Sequence, residues 1–183
     1  MFSYRLNDRL ELRSLQLTDA NELFTLTNAN RSYLRQWLPW LDRTTTSADT
    51  RTFIRNTLEQ FSKTEGVIAA ICYDDNIVGI IGYNYIDWAN RSGQIGYWLA
   101  ESHQGNGIMT MACRHMLDYS FANLNLNRIV ILCATENQRS RAVPKRLGFR
   151  HEGTAYEAEW LYDHFVNHEV YAMLCCSWQQ NNR

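Results

Sequence analysis

The stretch from Tyr97 to Phe121 constrains this chain more than any other. An apolar run, Tyr97-Trp98-Leu99, gives way to Gln104-Gly105-Asn106-Gly107, and apolar residues then recur every four positions: Ile108/Met109, Ala112/Cys113, Met116/Leu117 and Phe121. That period predicts a helix with one buried face. A strand that passes through two glycines into a helix belongs to a mixed α/β domain. The first N–H groups of a helix lack partners inside it, and the helix dipole adds partial positive charge there. With glycines letting the backbone approach a ligand, the turn is a ready pyrophosphate site. It lacks the Lys-Ser/Thr pair of a nucleotide-hydrolysing loop and the three spaced glycines of a dinucleotide fold. An ordinary glycine-rich junction has the same local pattern.

The flanking sequence supplies the other elements. Arg9–Leu15 alternates and predicts a strand; Thr18 and Asp19 offer an N-cap to a helix over Ala20–Asn28; Ser47 caps a second helix through Phe61. Val67–Tyr73 and Ile77–Ile86 predict a hairpin about Asp74-Asp75-Asn76, and Gln94–Leu99 a further strand. Arg128–Ala134 predicts a buried strand, Asn137–Arg146 a short helix, and strands follow near Phe149–Tyr156 and Val166–Leu174. Pro144 lies four residues after Ser140 and predicts a kink or a helix that starts late. The 183 residues suit a single domain spanning 1–183.

Several function classes drop out. The net charge of −1 gives no case for nucleic acid. No apolar stretch approaches the ~18 residues of a membrane span, and Met1–Arg13 has no signal-peptide core, so a cytoplasmic location with no membrane partner is expected. The five cysteines form no Cys-x-x-Cys pair; no metal site or disulfide framework is expected, and buried reduced thiols are.

The turn and its surroundings resemble the GNAT superfamily of N-acetyltransferases. The acetyl-CoA motif of that superfamily, Gln/Arg-x-x-Gly-x-Gly/Ala, is matched by Gln104 and Gly107, with Met109 departing at the last position. Met109-Thr110 resembles instead the Gly-x-Met-Thr of the Rim branch, the ribosomal-protein N-terminal acetyltransferases, although Met111 replaces the usual Glu. The likeness extends to Tyr33-Leu34-Arg35-x-Trp37-Leu38-Pro39-Trp40, Asn137-x-x-Ser140 and Leu147-Gly148-Phe149-x-x-Glu152-Gly153. It implies the GNAT fold: one mixed, mostly antiparallel sheet of about six to seven strands with helices on both faces, splayed between the strand at 94–99 and the strand at 128–134.

The resemblance also implies roles. Acetyl-CoA would be held by Trp98, Leu99, Gln104, Gly105, Asn106, Gly107, Ile108, Met109 and Asn137, with the Leu99 N–H facing the thioester oxyanion. Asn137 would bond the pantetheine and is equally suited to cap a helix. Ser140 would protonate the leaving thiolate, or is simply a polar residue on a helix turn. Glu159 would be the general base, its flanking aromatics raising its pKa by desolvation; His151, His164 and His168 are alternatives, and an exposed loop acid is the plain reading. Trp37 and Trp40 would wall the acceptor site or pack the core. Six basic residues over 128–150 could meet cofactor phosphates, and five acids over 151–170 could draw an amine. The acceptor would be the α-amine of a ribosomal or other protein. The alternatives are a small amine (polyamine, aminoglycoside or amino acid) and a non-catalytic acyl-CoA-binding regulatory module. Homodimers are common in this branch.

Overall fold

The computed structural model describes residues 2–62 and 66–181. It contains one mixed sheet of eight strands in the order β1-β2-β3-β4-β5-β6-β8-β7. In chain order the elements are β1 (Ser3–Arg5), β2 (Leu10–Ser14), α1 (Ala20–Ala29), α2 (Arg31–Leu34), α3 (Ser47–Ser62), β3 (Ile68–Tyr73), β4 (Asn76–Asp87), β5 (Ser92–Leu99), α4 (Ile108–Ala122), β6 (Arg128–Ala134), α5 (Gln138–Arg146), β7 (Arg150–Leu161), β8 (His164–Leu174) and α6 (Cys175–Asn181). Strands β5 and β6 run parallel, whereas β1/β2, β2/β3, β3/β4, β6/β8 and β7/β8 are antiparallel. The sheet is one strand larger than the six to seven expected, because β1 has no apolar alternation and all three of its residues are exposed.

The chain divides into two compact units, Met1–Gly82 with Tyr97–Ala112, and Tyr83–Gly96 with Cys113–Arg183. In the first, Leu15, Ala20, Leu23, Ile54, Ala70, Cys72, Ile77 and Ile80 form a core from α1, α3 and the β2–β4 strands, and Trp98 packs against it. The hairpin turn at Asp74 and Asp75 has φ of 48° and 63°, the two left-handed residues that match strand twist. Two helix caps differ from the residues the sequence suggested. Asp19 borders α1 but accepts hydrogen bonds from the Gln16 N–H at 2.7 Å and from Arg13. Thr46, not Ser47, caps α3: its hydroxyl accepts from the Asp49 N–H, while the Asp49 carboxylate accepts from the Thr45 and Thr46 N–H groups.

In the second unit, Cys113, Met116, Leu117, Ser120 and Phe121 give α4 its buried stripe. Tyr83 and Ser120 share a buried hydroxyl–hydroxyl bond, and burial holds the Tyr83 phenol far above its ordinary range. The parallel ladder pairs Ser92–Gln94 with Arg128–Val130, after which β5 continues to Leu99 and β6 to Ala134. Cys72, Cys113 and Cys133 are buried thiols as expected, but Cys175 is only partly buried and Cys176 is exposed, because both lie on the short helix Cys175–Asn181 that follows β8. Among the described residues no helix is long and apolar enough to cross a membrane, and no group of His, Cys, Asp and Glu is arranged to hold a metal ion.

Candidate active site

In the first unit the end of β5 is fastened before the turn begins. The Ala100 N–H donates to the Val78 carbonyl at 2.8 Å. A Cβ at Gly79 would stand 2.3 Å from the Trp98 carbonyl oxygen, so β4 reaches this close to Trp98 only as glycine. A short 3-10 turn over Glu101–His103 leads to Gly105 and Gly107, at φ of 79° and 75°. A Cβ at either glycine would meet no atom within 4 Å. Backbone conformation, not crowding, therefore demands glycine, and the space beside the turn is open to a ligand. The Met111 N–H donates to the Gly107 carbonyl at 3.0 Å, closing the first turn of α4.

Asn30, which the sequence did not single out, and Tyr33, quoted in a motif without a role, hold this turn. The Asn30 side chain accepts from the Glu101 N–H at 2.9 Å and donates to the Leu26 carbonyl at 2.9 Å, tying the turn to the end of α1. The Gln104 amide donates to the Tyr33 hydroxyl and to the Leu99 carbonyl at 3.5 Å. Trp40 lies 6.5 Å from Trp98, ring centroid to centroid. The aromatic segment after α2 thus touches the residues read as cofactor ligands. Trp37 is half-buried in the turn after α2.

In the second unit, Asn137 caps α5, its Oδ1 accepting from the Ser140 N–H at 3.0 Å. Its amide nitrogen is the part of the side chain that remains to donate to a ligand. The Ser140 hydroxyl donates to Cys133 Sγ at 3.3 Å, a contact between α5 and β6. The helix does not begin late: it starts at Gln138 and runs through Pro144, which removes the bond that residue 144 would make to the Ser140 carbonyl. It ends in a Schellman motif. The Phe149 N–H reaches the Pro144 carbonyl at 3.0 Å, the Gly148 N–H reaches Lys145, and Gly148 is left-handed at φ 76°.

The basic stretch is not one phosphate-facing patch. Arg128 pairs with Glu152. Arg141 turns inward, donating to the Thr135 carbonyl at 2.6 Å and to the Tyr171 hydroxyl at 3.3 Å, with Glu169 at 3.9 Å. Glu169, 7% exposed, also meets His151, and Thr154 at 3.2 Å. Burial alone would raise its carboxyl, but His151, Arg141 and Thr154 together hold it below the ordinary 4.5. A folded value below the unfolded one stabilises fully above about pH 4.5 and is lost as pH falls through the folded value. Glu169→Ala, which removes the carboxylate shared by His151, Thr154 and Arg141, is expected to cost about 1–3 kcal/mol at pH 7. Urea melts at pH 7 and at successively lower pH check this; the deficit should shrink on acidification.

Glu159 lies in β7, not in a loop, and follows an irregularity. The register passes from Ala155↔His168 to Glu159↔Val166, and the three residues between include Glu157 at φ 48°. The Glu157 N–H is held by Asn167 Oδ1 at 2.7 Å. This irregularity leaves Glu159 Oε2 3.3 Å from His168 Nε2. The flanking Tyr156 and Trp160 are 79% and 53% exposed, so they form no apolar enclosure around the carboxylate. All three histidines weighed against Glu159 are themselves beside carboxylates: His151 by Glu169, His164 by Asp163 and His168 by Glu159.

A mixed sheet whose fifth strand passes through two left-handed glycines into a helix defines an α/β protein with an anion-accepting turn. The family model described as "Acetyltransferase (GNAT) domain" matches residues 9–150. The sequence is 37% identical to YdaF of Bacillus subtilis (strain 168), covering 98% of each chain. It is 31% identical to the ribosomal-protein-serine acetyltransferase of Escherichia coli (strain K12), covering 93% of this chain and 95% of that one. The solved complex of the ribosomal L7/L12 α-N-protein acetyltransferase RimL with coenzyme A superposes with a TM-score of 0.91 at 28% identity, over 94% of this chain and 98% of that one. The chain belongs to the GNAT acetyltransferase family.

Proposed function

We propose that the chain is a single N-acetyltransferase domain over 1–183, which transfers the acetyl group of acetyl-CoA to the N-terminal α-amine of a ribosomal or other protein by direct attack in a ternary complex. The observation that carries this reading is the open turn at Gly105 and Gly107 at the start of α4. The relatives that modify ribosomal proteins support the acceptor class. In this reading the backbone from Gln104 to Met109 takes the pyrophosphate, Trp98 and Leu99 pair with the pantetheine, and Asn137 donates to it from the amide nitrogen left free by capping. The Leu99 N–H stabilises the tetrahedral oxyanion. Ser140 returns a proton to the departing thiolate, exchanging its bond to Cys133 for one to sulfur. Glu159 takes the proton from the attacking amine, and Trp37 and Trp40 line the acceptor side.

Proton chemistry favours this acceptor class. An α-amine with pKa of about 7.8 is roughly one-seventh neutral at pH 7, whereas a lysine-type amine near 10.4 is neutral at about 0.04%. A half-exposed carboxylate backed by one histidine suits the easier deprotonation. The expected result is CoA release with peptides bearing free Ser or Ala N-termini, abolished when those N-termini are blocked. Release only with polyamines or aminoglycosides would assign a small-amine acceptor. Acetyl-CoA binding without turnover on any amine would support a non-catalytic module.

A further inference from the structure

The turn that opens α4 carries a chemical weakness of its own. Asn106-Gly107 is the single Asn-Gly pair in the sequence; every other asparagine precedes a residue with a side chain. A succinimide forms when the backbone nitrogen after an asparagine attacks the side-chain amide carbon, and a side chain on the following residue hinders that approach. Here the reacting atoms are accessible. Asn106 and Gly107 are both exposed, and a Cβ at Gly107 would meet no atom within 4 Å. Among the described residues no acceptor takes the Gly107 N–H, although the Gly107 carbonyl accepts from Met111. The Asn106 amide is held only by long contacts from Nδ2, 3.3 Å to the Gln104 carbonyl and 3.5 Å to the His103 carbonyl. Asn90, also in a turn, is fastened more tightly, its Nδ2 donating to Asp87 at 2.7 Å.

We propose that Asn106 is a site of spontaneous deamidation, and that its product disables acetyl-CoA binding at this turn. The step needs only water. The Gly107 nitrogen bonds to Asn106 Cγ and gives its proton to solvent; the Cγ–Nδ2 bond breaks, and Nδ2 takes a proton from solvent and leaves as ammonia. Water then opens the ring. Cleavage of the new Cγ–N bond gives aspartate. Cleavage at the Asn106 main-chain carbonyl gives isoaspartate, whose chain runs on through Cγ and is one methylene longer. Either product sets a carboxylate where the N–H groups and dipole of the helix start would otherwise meet pyrophosphate. That charge suits the helix start and repels the phosphates, so the fold is kept while cofactor affinity falls. The inference rests on placing the pyrophosphate at Gln104 to Met109, and deepens that reading by naming how the site is switched off. A bound cofactor covers the same atoms and guards them.

The test follows mass and affinity separately. The fresh chain is titrated with CoA by calorimetry, then incubated at neutral pH and physiological temperature with and without saturating CoA. A mass gain of about 1 Da is expected, mapped by proteolysis to Asn106. CoA should slow it at least about 10-fold. Without CoA, the wild type should lose affinity in step with the mass gain. Asn106→Gln should hold whatever affinity it starts with, because the longer side chain closes its ring far less readily. Asn106→Asp should melt at the wild-type temperature or higher and bind CoA about 10-fold more weakly, with the deficit narrowing as salt rises. A synthetic peptide spanning residues 103–109 reports the rate of an unrestrained Asn-Gly pair. Asn106 left intact while the peptide converts fully would overturn the inference, as would an Asn106→Asp chain that binds CoA as tightly as wild type. CoA that binds the fresh chain yet leaves the rate at Asn106 unchanged would overturn the placement of the pyrophosphate at this turn. No CoA binding by the fresh chain would remove the cofactor reading itself, whereas the mass gain is scored without it.

Discussion

Gly107→Val is expected to weaken acetyl-CoA binding by two orders of magnitude or more, about 2.7 kcal/mol, while the protein still folds. Two effects add. At φ 75° a β-branched residue is strained, so the turn must shift or hold an unfavourable conformation. The new side chain also fills space that no protein atom occupies within 4 Å of the Cβ position, space the proposal gives to the cofactor. Because that space is empty of protein, the substitution creates no clash in the fold, and the thermal midpoint should fall by only a few degrees. A control separates strain from ligand exclusion. Gly153 is also left-handed, at φ 134°, and also has open space around its Cβ position. Gly153→Val should lower the melting temperature comparably and leave acetyl-CoA affinity intact. Calorimetric titration of both variants decides the matter; unchanged affinity in Gly107→Val would remove the cofactor from this turn.

What could be read from the sequence divides along the range of the interactions. Helix α4 and its turn were legible because their signals are local: two glycines, then an apolar pair every four residues. The β3–β4 hairpin was legible through Asp74-Asp75, whose side chains tolerate the left-handed region. Strand β1 was not, since its three exposed residues join the sheet only by pairing with β2. Nor were the pairings that support the turn: Tyr33 with Gln104, like Asn30 with Glu101, spans 71 residues, and no local pattern joins them. Arg141 read as one of six cations that could meet cofactor phosphates, because a linear charge count cannot show a guanidinium folded onto Thr135 and Tyr171. Glu159 was picked out by resemblance alone. Its partner His168 depends on the register shift after Ala155, which no periodicity announces. The site residues legible in advance were those fixed by backbone conformation or quoted in motifs. The residues that hold them in place were set by tertiary register.

Glu159→Gln should lower kcat on an unblocked peptide by about 10² to 10³ while leaving the acetyl-CoA dissociation constant unchanged. The amide keeps the shape of the carboxylate and can still bond His168, so the loss isolates proton acceptance from packing. The dependence on pH makes the prediction sharper. An α-amine with pKa of about 7.8 becomes mostly neutral above pH 8 without help, so the deficit of the variant should shrink steeply between pH 7 and 9. A lysine-type amine near 10.4 stays protonated across that interval, and there the deficit should persist. The shape of the pH–rate ratio between wild type and variant therefore reports both the base and the acceptor. His168→Gln is expected to lose less, about 10-fold, because in the proposed mechanism His168 acts through the carboxylate it meets at 3.3 Å. If Glu159→Gln retained full kcat at pH 7 while His168→Gln did not, proton acceptance would pass to the histidine and Glu159 would become its positioning partner. If neither changed kcat, the base would lie outside this strand pair altogether.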